Sequence, residues 1–305
     1  MFAKQLLMKS DLYTHPDYYN MDDLLSDEHK LIRDTARAWI KKEVSPIIDE
    51  HYEKATFPNE IIQGLGEIGA FGPYIPAEYG GPGLDQISYG LIMQELERGD
   101  SGIRSMASVQ TSLVMYPIFT YGSEEQKRKY LPRLASGEII GCFGLTEPNH
   151  GSDPGSMITR IKDMGDHFLL NGAKMWITNS TIADVFIVWA KDDQDVVRGM
   201  ILDKGMKGLT APETHGKLSL RASVTGEIVM EDVVVPKDMI LPGVKGLRGP
   251  LSCLNSARYG IAWGAIGAAM DCYDVALRYA LERKQFGKPI AAFQLQQKKL
   301  AEALT

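Results

Sequence analysis

Apolar positions along the first part of the chain recur every three or four residues. Leu31, Ile32, Ala36, Ile40, Val44 and Ile47 follow Ser26, a good N-cap with Asp27 and Glu28 in the first turn. Ile61, Ile62, Leu65 and Ile68 repeat the spacing after Pro58. Ile87, Leu91, Ile92 and Leu96 mark another helix, broken by the GDSG run at 99–102. Ser123 and Gln126 form a capping box that opens a helix through Leu134. The pattern changes near Gly137. Residues 139–145 (IIGCFGL) predict a short apolar strand. Residues 168–178 (FLLNGAKMWIT) predict a hairpin turning at Asn171–Gly172 between two β-prone arms. VFIVWA (185–190), GMIL (199–202) and IVMEDVVV (228–235) continue as strands, and Pro236, Pro242 and Pro250 punctuate the exit. Helical spacing then returns, with one long helix predicted over 251–283, a break at 284–290 (KQFGKPI) and a second helix from near Ala292.

This pattern predicts an α+β chain: helices over 1–138, β-structure over 139–249, helices over 250–305. The last two helices cannot enclose a core alone, and the Leu295, Leu300 and Leu304 face has few partners among them. On that ground the chain is expected to be a fragment.

Composition narrows the function classes. With 305 residues, 44% hydrophobic and 24% charged, the chain has an ordinary globular balance and room for two or three domains. A net charge of −6 without a long basic block argues against a nucleic-acid surface, though not against a local cationic pocket. The longest nearly apolar stretch, 259–270, is too short to span a bilayer. The first twenty residues show neither a signal-peptide core nor an Arg-rich transit pattern. Cys142, Cys253 and Cys272 are scattered without metal-ligand spacing and read as reduced thiols. The expected location is a bacterial cytoplasm, or a mitochondrial matrix after removal of a transit peptide. HExxH, CxxC, GxSxG and phosphate-loop motifs are absent.

Five features suggest chemistry. FGLTEP (143–148) and NHGSDPGS (149–156) put a polar, Gly-rich loop after a strand. Its backbone amides, Thr146 and Ser152 can hold an anion or a polar ring edge, or simply cap a turn. KMWITN (174–179) places Trp176 before Thr178, either to stack on a flat cofactor or as a core Trp. Arg104 follows the 99–102 break, near the start of an apolar helix. It reads as a pocket cation for a ligand carboxylate, or as half of an ion pair with Glu97 or Asp100. Arg258 lies among small residues on the long helix, where close helix packing is the plainer account. RKQFG (283–287) can bind phosphate or cap a helix end.

The ordered set TEPxxGSD, KMWITN and ERKQFGKPI resembles the acyl-CoA dehydrogenase family, and the resemblance covers essentially all of the chain. It implies an all-α N-terminal domain, a β-barrel middle domain and the start of a C-terminal four-helix bundle. It also implies FAD, an acyl-CoA substrate, electron-transfer flavoprotein as acceptor, and a homotetramer. By motif position, Phe143, Leu145 and Thr146 would meet the flavin ring, Trp176 would flank it and Thr178 would sit at its N5 edge. Ser152 would lie near the pyrophosphate and CoA. Arg283, Gln285 and Phe286 would reach FAD in a neighbouring subunit, and Asn255 and Arg258 would meet CoA. Many relatives carry Asp at the Asn255 position.

Within the family, ERGDSGIRS (97–105), LSLRAS (218–223) and ARYGIAWG (257–264) resemble the glutaryl-CoA dehydrogenase branch. There, the residues matching Glu97, Arg104 and Ser105 line the end of the pocket that takes the substrate's terminal carboxylate. The implied reaction oxidises glutaryl-CoA and releases CO2 to leave crotonyl-CoA. It needs a carboxylate base, and preorganised donors for the oxyanion. That branch carries its base, a Glu, beyond the position of Thr305. Other branches place a Glu where this chain has Ala257. No catalytic residue is therefore expected within these 305 residues, and poor turnover is expected of them.

Overall fold

The computed structural model describes residue 17 and residues 19–305; the reading of the first twenty residues as lacking a targeting signal falls almost wholly outside these. Helices form first: α1 (Asp27–Trp39), α2 (Ile48–Lys54), α3 (Ile62–Glu67), α4 (Gln86–Gly99), α5 (Ser101–Ser108), α6 (Tyr116–Tyr121) and α7 (Glu124–Ala135). The Ser26 hydroxyl caps α1 by accepting from the His29 amide, and Ser123 with Gln126 makes the capping box of α7. Asp100 ends α4 in extended conformation and caps α5 by accepting from the Gly102 amide at 2.6 Å. A π-helical segment, Val109–Met115, continues α5 without a break.

The strands are β1 (Gly141–Gly144), β2 (Arg160–Asp163), β3 (His167–Thr178), β4 (Val185–Lys191), β5 (Val197–Asp203), β6 (Leu209–Thr210) and β7 (Thr225–Pro236). They form a curled mixed sheet in the order β1-β4-β2-β3-β7-β6, with β5 antiparallel to β4. Strand β4 is buried on both faces. Phe186, Val188 and Ala190 join the inner core of the sheet, while Val185, Ile187 and Trp189 join the helical core. This accounts for its unbroken apolar run.

The expected hairpin at Asn171–Gly172 does not exist. Strand β3 runs straight through it. The Asn171 side chain instead bonds Asp232 twice, accepting from its amide at 2.9 Å and donating to its carboxylate at 3.0 Å. Asp232 has φ +50° at a register shift of β7. The Asn–Gly pair thus serves a bulge, which relies on the same tolerance of unusual backbone as a tight turn.

The long helix α8 (Arg248–Glu282) starts ahead of Pro250, which sits in its first turn where no helical N–H is required. Residues 284–290 are more ordered than a break: β8 (Lys284–Gln285) and β9 (Lys288–Pro289) pair across Phe286 and Gly287, whose φ values of +52° and +74° suit a type I′ turn. The last helix, α9 (Gln294–Leu304), buries none of its residues.

Helix α8 is fastened to the N-terminal helices in two ways. Gly260 and Gly267 leave no room for a Cβ, which would lie 2.4 Å from the Tyr89 hydroxyl and 2.0 Å from the Gln94 carbonyl oxygen. A buried charge chain runs beside them. Arg37 of α1 grips Glu95 of α4 with two 3.0 Å bonds. Arg98 lies 3.8 Å from Glu95 and donates to Asp274 of α8 at 3.2 Å.

Candidate active site

The site is assembled where the TEP loop leaves β1 and where β3 ends. The two segments are tied together by a buried ion pair. Lys174 Nζ donates to Glu147 Oε1 at 2.8 Å and to the Leu145 carbonyl at 3.1 Å, and the pair is almost wholly buried. Burial pushes the Lys174 ammonium down to about 8, with Glu147 opposing the shift. Burial also works against the Glu147 carboxylate. It is outweighed by the amide bonds from Ile158 (2.7 Å) and Thr159 (3.0 Å) and by Lys174, which hold it below the ordinary range. A 2.9 Å bond from the Met175 amide to the Thr146 carbonyl continues the link.

This pair is the main feature of the site that sequence reasoning missed. Its signal was present, since Lys174 falls on the inward side of β3, where a cation needs a partner.

Just beyond Lys174 the β3–β7 register shifts, so that Met175 and Trp176 together face Glu227. Trp176 has φ +63°, an uncommon and costly conformation for a bulky residue, and its side chain is 56% exposed. The core reading of Trp176 is therefore wrong: the bulge turns the ring out of the sheet.

The ring helps enclose a cavity of about 200 Å³ lined by Val109, Leu113, Phe143, Leu145, Thr146, Gly151, Pro154, Trp176, Ile177, Thr178 and Leu254. Of the sequence-predicted residues, the cavity gathers Phe143, Leu145, Thr146, Trp176 and Thr178. The Thr146 and Thr178 hydroxyls bond to no other described residue. An apolar slot with an outward aromatic ring and two free hydroxyls fits a flat, polar-edged ligand. Among the described residues, no lining side chain is an acid or a base. Ala257 is buried and has no proton to exchange.

The other predicted residues lie outside that cavity. Ser152 is exposed beside Gly151. Asn255 and Arg258 are exposed on α8 and bond each other at 2.7 Å. Arg283, Gln285 and Phe286 lie at and just before the β8–β9 hairpin and are exposed on this chain, with Phe286 edge-on to Phe293. Glu97 in the last turn of α4 and Arg104 and Ser105 of α5 form a separate group. Arg104 Nε makes a short bond to Glu97 Oε2, and the side chains are 11% and 8% exposed. Asp100 is occupied with its cap, so Glu97 is the ion-pair partner. Neither terminal nitrogen of Arg104 bonds to another described residue. Gly264 of α8 makes room for this pair: a Cβ there would lie 2.6 Å from Glu97 Oε2 and 3.3 Å from Arg104 Nε.

This layering of helices, curled sheet and long helix around a strand-end slot defines a class. Family models of the acyl-CoA dehydrogenase N-terminal, middle and C-terminal domains match residues 26–138, 142–233 and 244–305. The chain belongs to the acyl-CoA dehydrogenase family. It is 40% identical over 292 residues to a glutaryl-CoA dehydrogenase of Desulfococcus multivorans, covering 92% of this chain and 75% of that protein. It is also 40% identical over 281 residues to a short-chain specific acyl-CoA dehydrogenase of Clostridium acetobutylicum, covering 90% and 74%. A crystal structure of a glutaryl-CoA dehydrogenase from Mycobacterium smegmatis in complex with FADH2 superposes with a TM-score of 0.91 at 48% identity, over 93% of this chain and 73% of that one.

Proposed function

We propose that this protein is an FAD-dependent dehydrogenase of a short dicarboxylic acyl-CoA, with glutaryl-CoA as substrate and crotonyl-CoA and CO2 as products. The observation that carries the substrate reading is Arg104. It is a nearly buried guanidinium fixed through Nε by Glu97, with both terminal nitrogens free among the described residues. That fork suits a second, ligand carboxylate. A neutral short acyl chain, the competing reading, would leave it unused.

FAD fits the slot, and the chemistry it supplies is acceptance of a hydride. Thr146 and Thr178 would fix the edge of its ring, with the Trp176 indole against it. Val109, Leu113 and Leu254 would keep water from the reacting carbons. Ser105 would sit with Arg104 at the distal end, and Ser152, Asn255 and Arg258 toward CoA. With no acid or base lining the slot, residues 1–305 would bind substrate better than turn it over. Electron-transfer flavoprotein is the proposed acceptor. The exposed Ile261, Ile266, Val275, Tyr279 and Leu281 of α8 leave an apolar face for further helices to cover, and a homotetramer is proposed from the family resemblance. Arg283, Gln285 and Phe286 would then serve a neighbour's cofactor.

The test replaces Arg104 with Gln and measures binding of glutaryl-CoA and butyryl-CoA to the FAD-loaded protein. Losing a charge-assisted bond in a dry site should cost about 2–4 kcal/mol of discrimination. Equal losses for both thioesters would refute the dicarboxylate reading.

A further inference from the structure

The segment 217–225 carries the LSLRAS stretch, which the slot does not use. It begins with an internal clamp. Lys217 Nζ donates to the Leu220 carbonyl at 2.8 Å, to the Ser223 carbonyl through a short bond, and to the Thr225 hydroxyl at 3.0 Å. Arg221 then ties the segment to the helical layer. Its guanidinium donates to the last carbonyls of α2, Tyr52 at 3.0 Å and Glu53 at 2.8 Å, and back to Lys217 at 3.1 Å.

Within the next few residues the segment meets both the Arg104 group and the slot, the two ends of the site on the reading above. Ala222 is fully buried, and its carbonyl oxygen would lie 2.2 Å from a Cβ on Gly102, two residues before Arg104. The Val224 carbonyl accepts from the Asn179 amide at 3.1 Å, and Thr225 pairs with Thr178 in the sheet. From Ala222 to Thr225 an extended chain spans at most ~10 Å. One short, clamped piece of backbone therefore touches both the helix start that carries Arg104 and the strand end that carries Thr178.

We propose that residues 217–225 are a strap that sets the spacing between the Arg104 end and the Thr178 end of the site. Lys217 and Arg221 act as positioning residues. The strap thereby makes the protein selective for the length of a dicarboxylic acyl chain. This rests on the acyl-CoA reading above. A rigid ruler matters because a carboxylate anchored at one end places the reacting carbons at the other, where an error of about 1 Å is felt strongly.

The test uses the FAD-loaded protein with Arg221→Gln and, separately, Lys217→Met. Two quantities are read: calorimetric affinity for succinyl-, glutaryl- and adipyl-CoA, and amide hydrogen exchange without ligand at Gly102, Arg104 and Asn179. Each variant loses three bonds and should lower the thermal midpoint by a few degrees while keeping the FAD content. They should speed exchange at both ends and bring a length preference of about tenfold or more close to parity. Unchanged exchange, or an intact length preference despite faster exchange, would overturn the strap. A uniform loss for all three thioesters would do so too, marking the segment as merely structural. Should Arg104→Gln spare glutaryl-CoA selectivity, the dicarboxylate reading falls by itself, and the exchange rates still judge the strap.

Discussion

Replacing Lys174 with Met would isolate the buried bond that joins the TEP loop to β3. In the native protein this ammonium and Glu147 are almost wholly buried and 2.8 Å apart. Removing one partner of such a pair strands the other charge, at a typical cost of about 3–5 kcal/mol. Glu147 would keep its bonds from the Ile158 and Thr159 amides, which favours the low end of that range. The Leu145 carbonyl would also lose its donor, which adds back part of the difference. A loss near 3 kcal/mol should lower the melting temperature by roughly 5 °C. The assay is a double-mutant cycle by chemical denaturation with Lys174→Met, Glu147→Leu and both together. Because the two residues act as one unit, the double variant should be more stable than either single one. Flavin affinity should fall in the singles, since the Thr146–Met175 link lies one residue away from the pair. A single-variant cost under ~1 kcal/mol, or strict additivity in the cycle, would refute the claim that the pair holds the site together.

Two further outcomes follow from the same geometry. Lys174 sits at about 8 in the folded chain against 10.5 for an ordinary lysine, so between these values the unfolded chain holds the extra proton. Stability from this group must then rise with pH across that window, and the difference in denaturation free energy between wild type and Lys174→Met should widen in favour of wild type from pH 8 upward; a flat difference would contradict the shift. Gly264→Ala would push a methyl against Glu97 and Arg104 and should destabilise by about 1–3 kcal/mol while weakening glutaryl-CoA more than butyryl-CoA, which thermal scans and calorimetry on one sample can separate.

Much of the fold was legible because its signals are local. The Ser26 and Ser123 caps and the Asp100 break needed no tertiary knowledge. The apolar run of β4 likewise announced a strand, and its burial on two sides emerged only from the structure. The hairpin expected at Asn171–Gly172 and the core alternative for Trp176 fell for one reason. Both positions sit at bulges, where the register is decided by the partner strand β7 and not by the residues themselves. A turn-prone dipeptide and a strand-prone Trp look the same either way. At the site, Thr146, Trp176 and Thr178 could be picked out by motif, while Lys174 could be read only as an inward cation in need of a partner, not as bonded to Glu147 in particular. The halves of that bond are 27 residues apart, and only the folded sheet brings them together. Gly264 is one of the small residues around Arg258 for which close helix packing was the plainer account. That it accommodates the Glu97–Arg104 pair specifically is a fact of the α4–α5–α8 arrangement.

The charge chain from Arg37 through Glu95 and Arg98 to Asp274 bears on how freely such proteins can exchange parts. Three sequence regions look separable, but α8 is joined to α1 and α4 through the buried charges of Glu95, Arg98 and Asp274 and the partly exposed Arg37. An α8 transplanted from a relative without an acid at position 274 would take one charge partner from the buried Arg98. A new N-terminal segment without Arg37 would do the same to Glu95. Recombination across these boundaries therefore succeeds only when matching charges travel together, which ties the inheritance of the C-terminal helix to that of the first and fourth.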